Sequence, residues 1–217
     1  MSLSAAPRRR VLADLLTPSR SRATAFAADA ALVVTGAALV ALLAQVHVPM
    51  WPVPITGQTL GVLLVGAGLG AARGASAMLL YAALGLIGLP VAAPQADGSH
   101  LTGAALFTAP SFGYIVGFVL AAAVVGRLAE RKWDRRVPKA FVAFVAGSTV
   151  IYAVGLPWLA VVLSSLGVAP DQLVATTLTN GLVPFLIGDV VKALIAGALL
   201  PATWAIVRAV DKANKPS

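Results

Sequence analysis

The chain has 217 residues, of which 59% are hydrophobic and only 11% are charged, and its mean hydropathy is +0.90. A soluble domain typically carries about 25% charged residues, so this composition excludes an ordinary soluble fold and predicts an all-α integral membrane protein. The formal net charge is +8, and cysteine is absent, which excludes disulfides, thiolate metal sites and cysteine nucleophiles.

Six apolar stretches follow one another along the chain. They span residues 25–46, 57–72, 74–89, 112–129, 138–163 and 182–209. About 20 apolar residues cross the ~30 Å hydrocarbon core, so the second and third stretches predict short helices that are tilted or shielded by their neighbours. We expect a six-helix membrane domain at 25–210, a basic cytoplasmic arm at 1–24 and a cytoplasmic tail at 211–217.

The Lys and Arg residues are distributed asymmetrically. Five precede the first stretch, one lies between the second and third, six lie between the fourth and fifth, and three follow the sixth. The loops near 47–56, 90–111 and 164–181 contain none. The positive-inside rule therefore places both termini in the cytoplasm and these three loops outside. The basic balance indicates topology and contact with membrane lipid, and it does not indicate nucleic-acid binding.

The first outer loop, residues 47–56, is apolar and contains three prolines, which fix φ and remove backbone donors. A stiff apolar loop at a membrane surface must cover either the helix bundle or a ligand, and both alternatives stay open for Trp51 and its neighbours. Gln58 and Thr59 follow at the mouth of the second helix. They either hydrogen-bond a polar ligand or cap the free N–H groups of that helix.

The second outer loop, residues 90–111, is long, and loops of this length are usually functional or disordered. Tyr114 follows it in the first outer turn of the fourth helix. That position lies at the same membrane depth as we expect for Asp189 in the sixth helix. Tyr114 is therefore either a cavity wall or an interfacial aromatic residue.

One acid and one base lie deep in the sixth stretch, at Asp189 and Lys192. A charged residue inside a bilayer helix is costly and marks a functional site by default. A spacing of three residues places both side chains on one helix face, at depths of ~10 and ~15 Å from the outer end. The pair predicts a site that offers an anion and a cation to a ligand. The alternative is a structural ion pair that locks two helices together.

Several chemistries are excluded or disfavoured by the motifs. The chain has no P-loop, no H-E-x-x-H and no G-x-S-x-G, and its two histidines, His47 and His100, fall in outer loops without a carboxylate cluster for a metal. We therefore predict a protein that is not an enzyme. One alternative is a proton-driven secondary transporter of a small carboxylate-bearing metabolite, with Asp189 as the proton carrier, and another is a purely structural subunit.

Small residues recur at four-residue spacing, which lets helices approach closely. In the first helix this spacing is represented by Ala37 and Ala41. The face that they form either packs internally or docks another membrane protein.

Five segments match the pattern of a known family in order and spacing. They are V-P-I-T-G-Q-T-L at 53–60, L-G-A-A-R-G at 69–74, Y at 81 with G-L-I-G-L-P-V at 85–91, G-Y-I-V-G-F at 113–118 and G-D-V-V-K at 188–192. On these motifs the chain resembles the biotin-specific substrate-binding S components (BioY) of energy-coupling-factor vitamin transporters. The resemblance covers most of residues 35–210. One departure is A-P-S-F-G-Y at 109–114, where the family usually has G-P-T-x-G-Y.

The resemblance implies a six-helix fold that binds biotin from outside in a bacterial cytoplasmic (inner) membrane, with biotin as transported ligand and no cofactor. It also implies docking onto a transmembrane coupling subunit that two ATPase subunits drive. The family's pocket aspartate and lysine map to Asp189 and Lys192, and its A-x-x-x-A docking motif maps to Ala37 and Ala41. The full predicted substrate site comprises Asp189, Lys192, Tyr114, Gln58, Thr59 and Trp51. Some family members also use an arginine or an asparagine, but the outer loops here contain no arginine.

Overall fold

The structure is a computed structural model that describes residues 11–16, 21–95 and 97–213. Most of the predicted arm, at 1–10 and 17–20, and the end of the predicted tail, at 214–217, lie outside the described residues. The described residues are mainly helical, with one small two-stranded hairpin and irregular loops, which confirms the all-α prediction.

The described ranges contain eight α-helices. They are α1 Arg22–Gln45, α2 Gln58–Leu69, α3 Ala71–Leu86, α4 Gly103–Phe107, α5 Phe112–Glu130, α6 Val137–Ser165, α7 Pro170–Gly181 and α8 Val183–Ala213. Strands β1 His47–Val48 and β2 Ile55–Thr56 pair antiparallel within the first outer loop. Short 3-10 helices occur at Leu12–Leu15 and Trp133–Arg135.

Four helical segments in the described part are long and apolar enough to cross a bilayer. They are α1, α5, α6 and the nearly continuous segment Pro170–Ala213, which contains α7 and α8. Helices α2 and α3 have 12 and 16 residues, fewer than the ~20 that a bilayer core needs. Both pack against α5, which is the most buried of the long helices, so their neighbours shield them from lipid.

Two of the predicted outer loops contain helices. Residues 164–181 are predicted as a loop, but α7 occupies most of them and begins at Pro170, whose fixed φ and missing N–H suit a first helical turn. Helix α7 packs against α6, where Thr177 and Gly181 are buried. The five-residue helix α4 lies within the second outer loop and packs against α3. Both loops are therefore ordered covers over one end of the bundle.

The centre of the bundle depends on small residues. Helices α2 and α3 form a tight hairpin around Gly70, which adopts the left-handed region at φ +88°. The hairpin packs against α5 through Ala121 and Ala122, both fully buried. This close packing fixes the height of α5, which carries Tyr114 at its other end.

The segment before α1 packs against the hairpin end of the bundle. Val11 and Ala13 are buried, at 3% and 2% exposure, against the same cluster as residues of α2 and α5. Arg73 lies between two acids, with Nη1 3.0 Å from Asp14 Oδ1 and Nε 2.8 Å from Asp29 Oδ1. The described part of the predicted basic arm is thus tied to the helices.

Candidate ligand-binding site

A cavity opens beneath the two outer loops, between α2, α5, α6 and α8. It contains about 660 Å³ of empty space, its open mouth included. Its apolar walls include Ile115, Phe118, Ile151 and Phe185. The polar residues that line it are Thr56, Gln58, Thr59, Gln95, Ser111, Tyr114, Tyr152 and Lys192. A mostly apolar cavity with a few convergent polar groups is the usual form of a small-molecule site.

The predicted charged pair lies beside this cavity, although only Lys192 is part of its lining. Lys192 lines it and donates from Nζ to Thr59 Oγ1 at 2.7 Å and to Asp189 Oδ1 at 3.3 Å. The side chains of Lys192 and Asp189 are only 14% and 11% exposed. Lys192 therefore presents a positive charge to the cavity while Asp189 neutralises it from behind.

Asp189 itself lies outside the lining of the first cavity. It borders a second, more apolar cavity between α6 and α8, and Tyr152 lines both cavities. The Tyr152 hydroxyl donates to Asp189 Oδ2, while Lys192 and Thr59 contact Oδ1. Both carboxylate oxygens are thus occupied by protein donors, and Tyr152 separates Asp189 from the ligand space.

Gln58 belongs to a buried network that joins α2 to α3. Its Nε2 donates to the Tyr81 hydroxyl at 2.6 Å, and its Oε1 accepts from Thr56 Oγ1 at 2.9 Å. Tyr81 extends the hydrogen-bond network by donating from its hydroxyl to the carbonyl of Val91 in the second outer loop. Two roles were left open for Gln58 and Thr59, ligand contact and helix capping. Their side chains cap no backbone N–H of α2. The backbone N–H of Gln58 donates to Thr56 Oγ1 instead.

Tyr114 lines the cavity and is 6% exposed. Its hydroxyl donates to the carbonyl of Gly181 at 2.9 Å, and its ring meets the ring of Tyr152 edge-on at 6.3 Å between centroids. The hydrogen bond joins α5 to the end of α7, just before the break at Leu182. Tyr114 is placed as a cavity wall, and its contact with a ligand stays a prediction.

Trp51 is placed differently from the other predicted residues. Its side chain is 65% exposed and does not line the cavity, whereas Val53 and Pro54 of the same loop do. The loop therefore covers the bundle through buried Val53 and also faces the ligand space. A direct contact between Trp51 and a ligand stays a prediction, and it would require the loop to move inward.

Four of the described polar residues that line the cavity are absent from the predicted site: Thr56, which hydrogen-bonds Gln58, and Tyr152, Gln95 and Ser111. Tyr152 could have been predicted from the sequence, because a polar aromatic residue in the middle of an apolar stretch is unusual. Gln95 and Ser111 could not, because polar residues are ordinary in outer loops. Gln95 is notable because its side-chain amide supplies a polar group where the outer loops lack arginine.

The two predicted docking residues pack against the same core cluster but differ in burial. Ala37 is 1% exposed and packs within the core, and Ala41 is half-buried against the same cluster. In this conformation Ala37 packs internally. Internal packing was one of the two alternatives for the small-residue face, and docking of another membrane protein was the other. A docking role for Ala37 and Ala41 stays a prediction.

The profile of the BioY family matches residues 15–209, nearly the whole chain. The chain belongs to the BioY family. Among curated BioY proteins, "Biotin transporter BioY" of Rhizobium etli is 37% identical over 165 residues, covering 73% of this chain and 81% of the relative. "Biotin transporter BioY" of Rhodobacter capsulatus is 39% identical over 153 residues, covering 67% and 75%. "Biotin transporter BioY2" of Lactococcus lactis subsp. cremoris is 32% identical over 190 residues, covering 85% and 92%.

A solved structure shares the fold of this BioY chain. It is the 2.1 Å crystal structure of the S-component for biotin from an ECF-type ABC transporter, with a TM-score of 0.67 and 23% identity over 86% of this chain and 95% of the other. Membership in this transporter family, together with the long apolar helices, makes the chain a multi-pass membrane protein.

Proposed function

We propose that this protein captures biotin from the outer side of a bacterial cytoplasmic membrane, as the substrate-binding subunit of an energy-coupling-factor transporter. One observation carries the proposal: an ammonium group, Lys192, faces a mostly apolar cavity and is held there by Thr59 and Asp189. Biotin combines an anionic valerate with an apolar tail and fused rings, which is the complement of such a cavity.

The cavity divides the recognition of biotin between several groups. The valerate carboxylate meets the Lys192 ammonium, because an anion in an apolar cavity needs a nearby cation. The fused rings and tail contact apolar walls such as Ile115 and Phe118. The ureido group has two N–H donors and one carbonyl acceptor, and the Gln95 amide and the Ser111 hydroxyl are free to pair with them. Contact between the ureido group and Asp189 requires Tyr152 to move aside.

The proposed topology has six spans, with α2 and α3 as short spans shielded by α5. Both termini then lie in the cytoplasm and the cavity opens outward. The absence of Lys and Arg from the loops that cover the cavity supports this orientation. The cationic residues between α5 and α6 lie at the far end of α5, where the positive-inside rule expects the cytoplasm.

The proposal predicts that the purified protein binds biotin with a Kd below ~1 μM, corresponding to more than ~8 kcal/mol of binding free energy. Isothermal calorimetry in detergent measures this directly. Biotin methyl ester is the control ligand, because it replaces the anionic carboxylate that Lys192 should meet with a neutral ester that is larger by one methyl group. It should bind at least ~30-fold more weakly, about 2 kcal/mol. Equal binding of acid and ester would contradict the valerate contact, and failure of a folded sample to bind either compound would reject the biotin assignment.

Helix α1 also supports a proposal about assembly with the coupling subunit. Small residues Ala27, Ala31 and Ala38 are exposed along one face of α1, which differs from the buried face that contains Ala37. Small side chains let a partner helix approach closely in a membrane. We propose that this exposed face takes part in docking, beside the face of the predicted residues Ala37 and Ala41.

An Ala31→Trp variant should therefore lose co-purification with the coupling subunit and the two ATPase subunits, while its biotin affinity stays unchanged. The added indole blocks close helix approach without touching the cavity. Ala198→Trp is the matched control, because Ala198 is an exposed alanine in another long helix. Normal assembly of Ala31→Trp would show that this face of α1 is not the docking surface.

A further inference from the structure

A second pocket lies at the opposite end of the bundle, and its walls are strongly basic. It is lined by Arg131, Lys132, Arg135, Arg136, Lys139 and Arg208, and no described acid lines it. Arg208 lies about 24 Å along α8 from Lys192, at 1.5 Å per residue. The pocket is therefore separate from the biotin cavity and opens at the proposed cytoplasmic surface.

Most of this positive charge lacks a carboxylate partner. Among the described residues, the ion pairs involve Arg73, Arg127 and Lys192, and none involves Arg131, Lys132, Arg136, Lys139 or Arg208. The two acids that flank Arg131–Trp133 in the chain are already engaged. Glu130 pairs with Arg127 and accepts from the Ala71 amide, and buried Asp134 accepts from Trp204 Nε1. Like charges gathered within one screening length repel each other, so an anion bound among them would relieve this repulsion.

Burial disfavours the charged form of the Asp134 carboxyl, the acid that directly precedes Arg135 in the chain. It raises the pKa of the Asp134 carboxyl, although the hydrogen bond from Trp204 acts in the opposite direction. Asp134 is 2% exposed and does not line the pocket. It holds Trp204 in place, and Arg135 lies over that ring at 4.0 Å from the centroid.

The backbone between α5 and α6 turns so that its cationic side chains line the same pocket. Lys132 adopts φ +67°, a left-handed conformation that is uncommon outside glycine and persists where the surroundings impose it. This turn joins the end of α5 to the 3-10 helix Trp133–Arg135 and then to α6. Helix α6 begins at Val137 without a side-chain cap, so free N–H groups and the positive end of its dipole lie beside the pocket.

We propose that this pocket binds the phosphate group of an anionic phospholipid in the cytoplasmic leaflet. Basic pockets between membrane helices on the cytoplasmic side are typical sites for anionic headgroups. A lipid is favoured over free phosphate because apolar Val137, Ile206 and Val210 are exposed on the adjoining helix surfaces and can contact acyl chains. The proposal does not rest on biotin binding.

Native mass spectrometry of the purified protein, titrated with phosphatidylglycerol or phosphatidylcholine, tests the site. The wild type should prefer phosphatidylglycerol. A Lys132→Gly, Lys139→Gln double variant should bind it about 25-fold more weakly, at about fivefold for each cation removed. Arg22→Gln is the matched control, because it removes a cation from the same end of the bundle but outside the pocket. Biotin affinity should be unchanged in every variant.

The single variant Lys132→Gly is a control for misfolding, because glycine adopts the left-handed conformation of this turn more readily than lysine. This single variant should stay folded and lose about fivefold in binding of phosphatidylglycerol. The proposal is overturned if the wild type does not distinguish the two lipids, or if Arg22→Gln loses as much binding as the double variant. Displacement of phosphatidylglycerol by equimolar inorganic phosphate would likewise overturn the assignment to lipid.

Discussion

Replacing Lys192 with alanine should lower biotin affinity at least ~100-fold, which corresponds to about 2.7 kcal/mol. Lys192 is the one cation among the described residues that lines the cavity proposed to bind biotin. Without it, the valerate would enter an apolar cavity with no positive partner and with Asp189 nearby. Truncating one partner of a buried charge pair in a binding interface typically costs about 2–5 kcal/mol, so the estimate of 100-fold lies toward the lower end of that range.

Asp189→Ala should lower biotin affinity by a similar factor, at least ~100-fold, although Asp189 lies outside the cavity lining. Its loss frees the Lys192 ammonium and the Tyr152 hydroxyl from the hydrogen bonds that hold them in place, so two groups of the cavity wall lose their positions, and we expect this to outweigh the removal of a negative charge near the valerate. Asp189→Asn separates these effects, because it keeps hydrogen-bonding groups but loses the charge. A large loss in the asparagine variant would assign the role of Asp189 to its charge.

Calorimetry with each variant measures these affinities, and a melting curve confirms that each is folded. Lys212→Ala is the control, because it removes a lysine from the same helix α8 at its far end. Affinity close to the wild type in both Lys192→Ala and Asp189→Ala would show that the pair is a structural ion pair, as the sequence alone left open.

Gly126→Ala should destabilise the fold by about 3 kcal/mol or more, because overpacking into backbone leaves no side chain to move aside. An added Cβ at Gly126 would lie 2.4 Å from the Ala71 amide nitrogen and from the Gly70 carbonyl carbon. Helix α5 would have to separate from the α2–α3 hairpin, and α5 carries Tyr114 and other residues of the cavity wall.

Gly68→Ala is the matched control for this change. Gly68 lies in α2, and an added Cβ there meets nothing within 4 Å. Alanine at that position should stabilise the helix by about 0.5–1 kcal/mol. Thermal unfolding in detergent compares the two variants. Equal melting temperatures for Gly126→Ala and the wild type would mean that α5 and the hairpin pack less closely than the structure shows.

The amino-acid sequence by itself determined the class of the protein and the location of the charged pair. Composition excludes a soluble fold, and cation placement indicates the orientation without any tertiary information. The spacing of Asp189 and Lys192 places them on one face of any helix, because that relation depends only on the helical repeat. The family motifs also follow from local sequence order.

Contacts between distant residues were decided only by the tertiary structure. Thr59 and Lys192 lie 133 positions apart, and Tyr152 and Asp189 lie 37 apart, so no periodicity predicts either hydrogen bond. The same applies to Ala37, because small residues on apolar helices suit both internal packing and docking. In an almost uniformly apolar chain, hydrophobicity cannot distinguish faces that meet lipid from faces that meet protein. Close packing in the tertiary structure determines which faces meet protein, and it places Tyr152 between Asp189 and the ligand space.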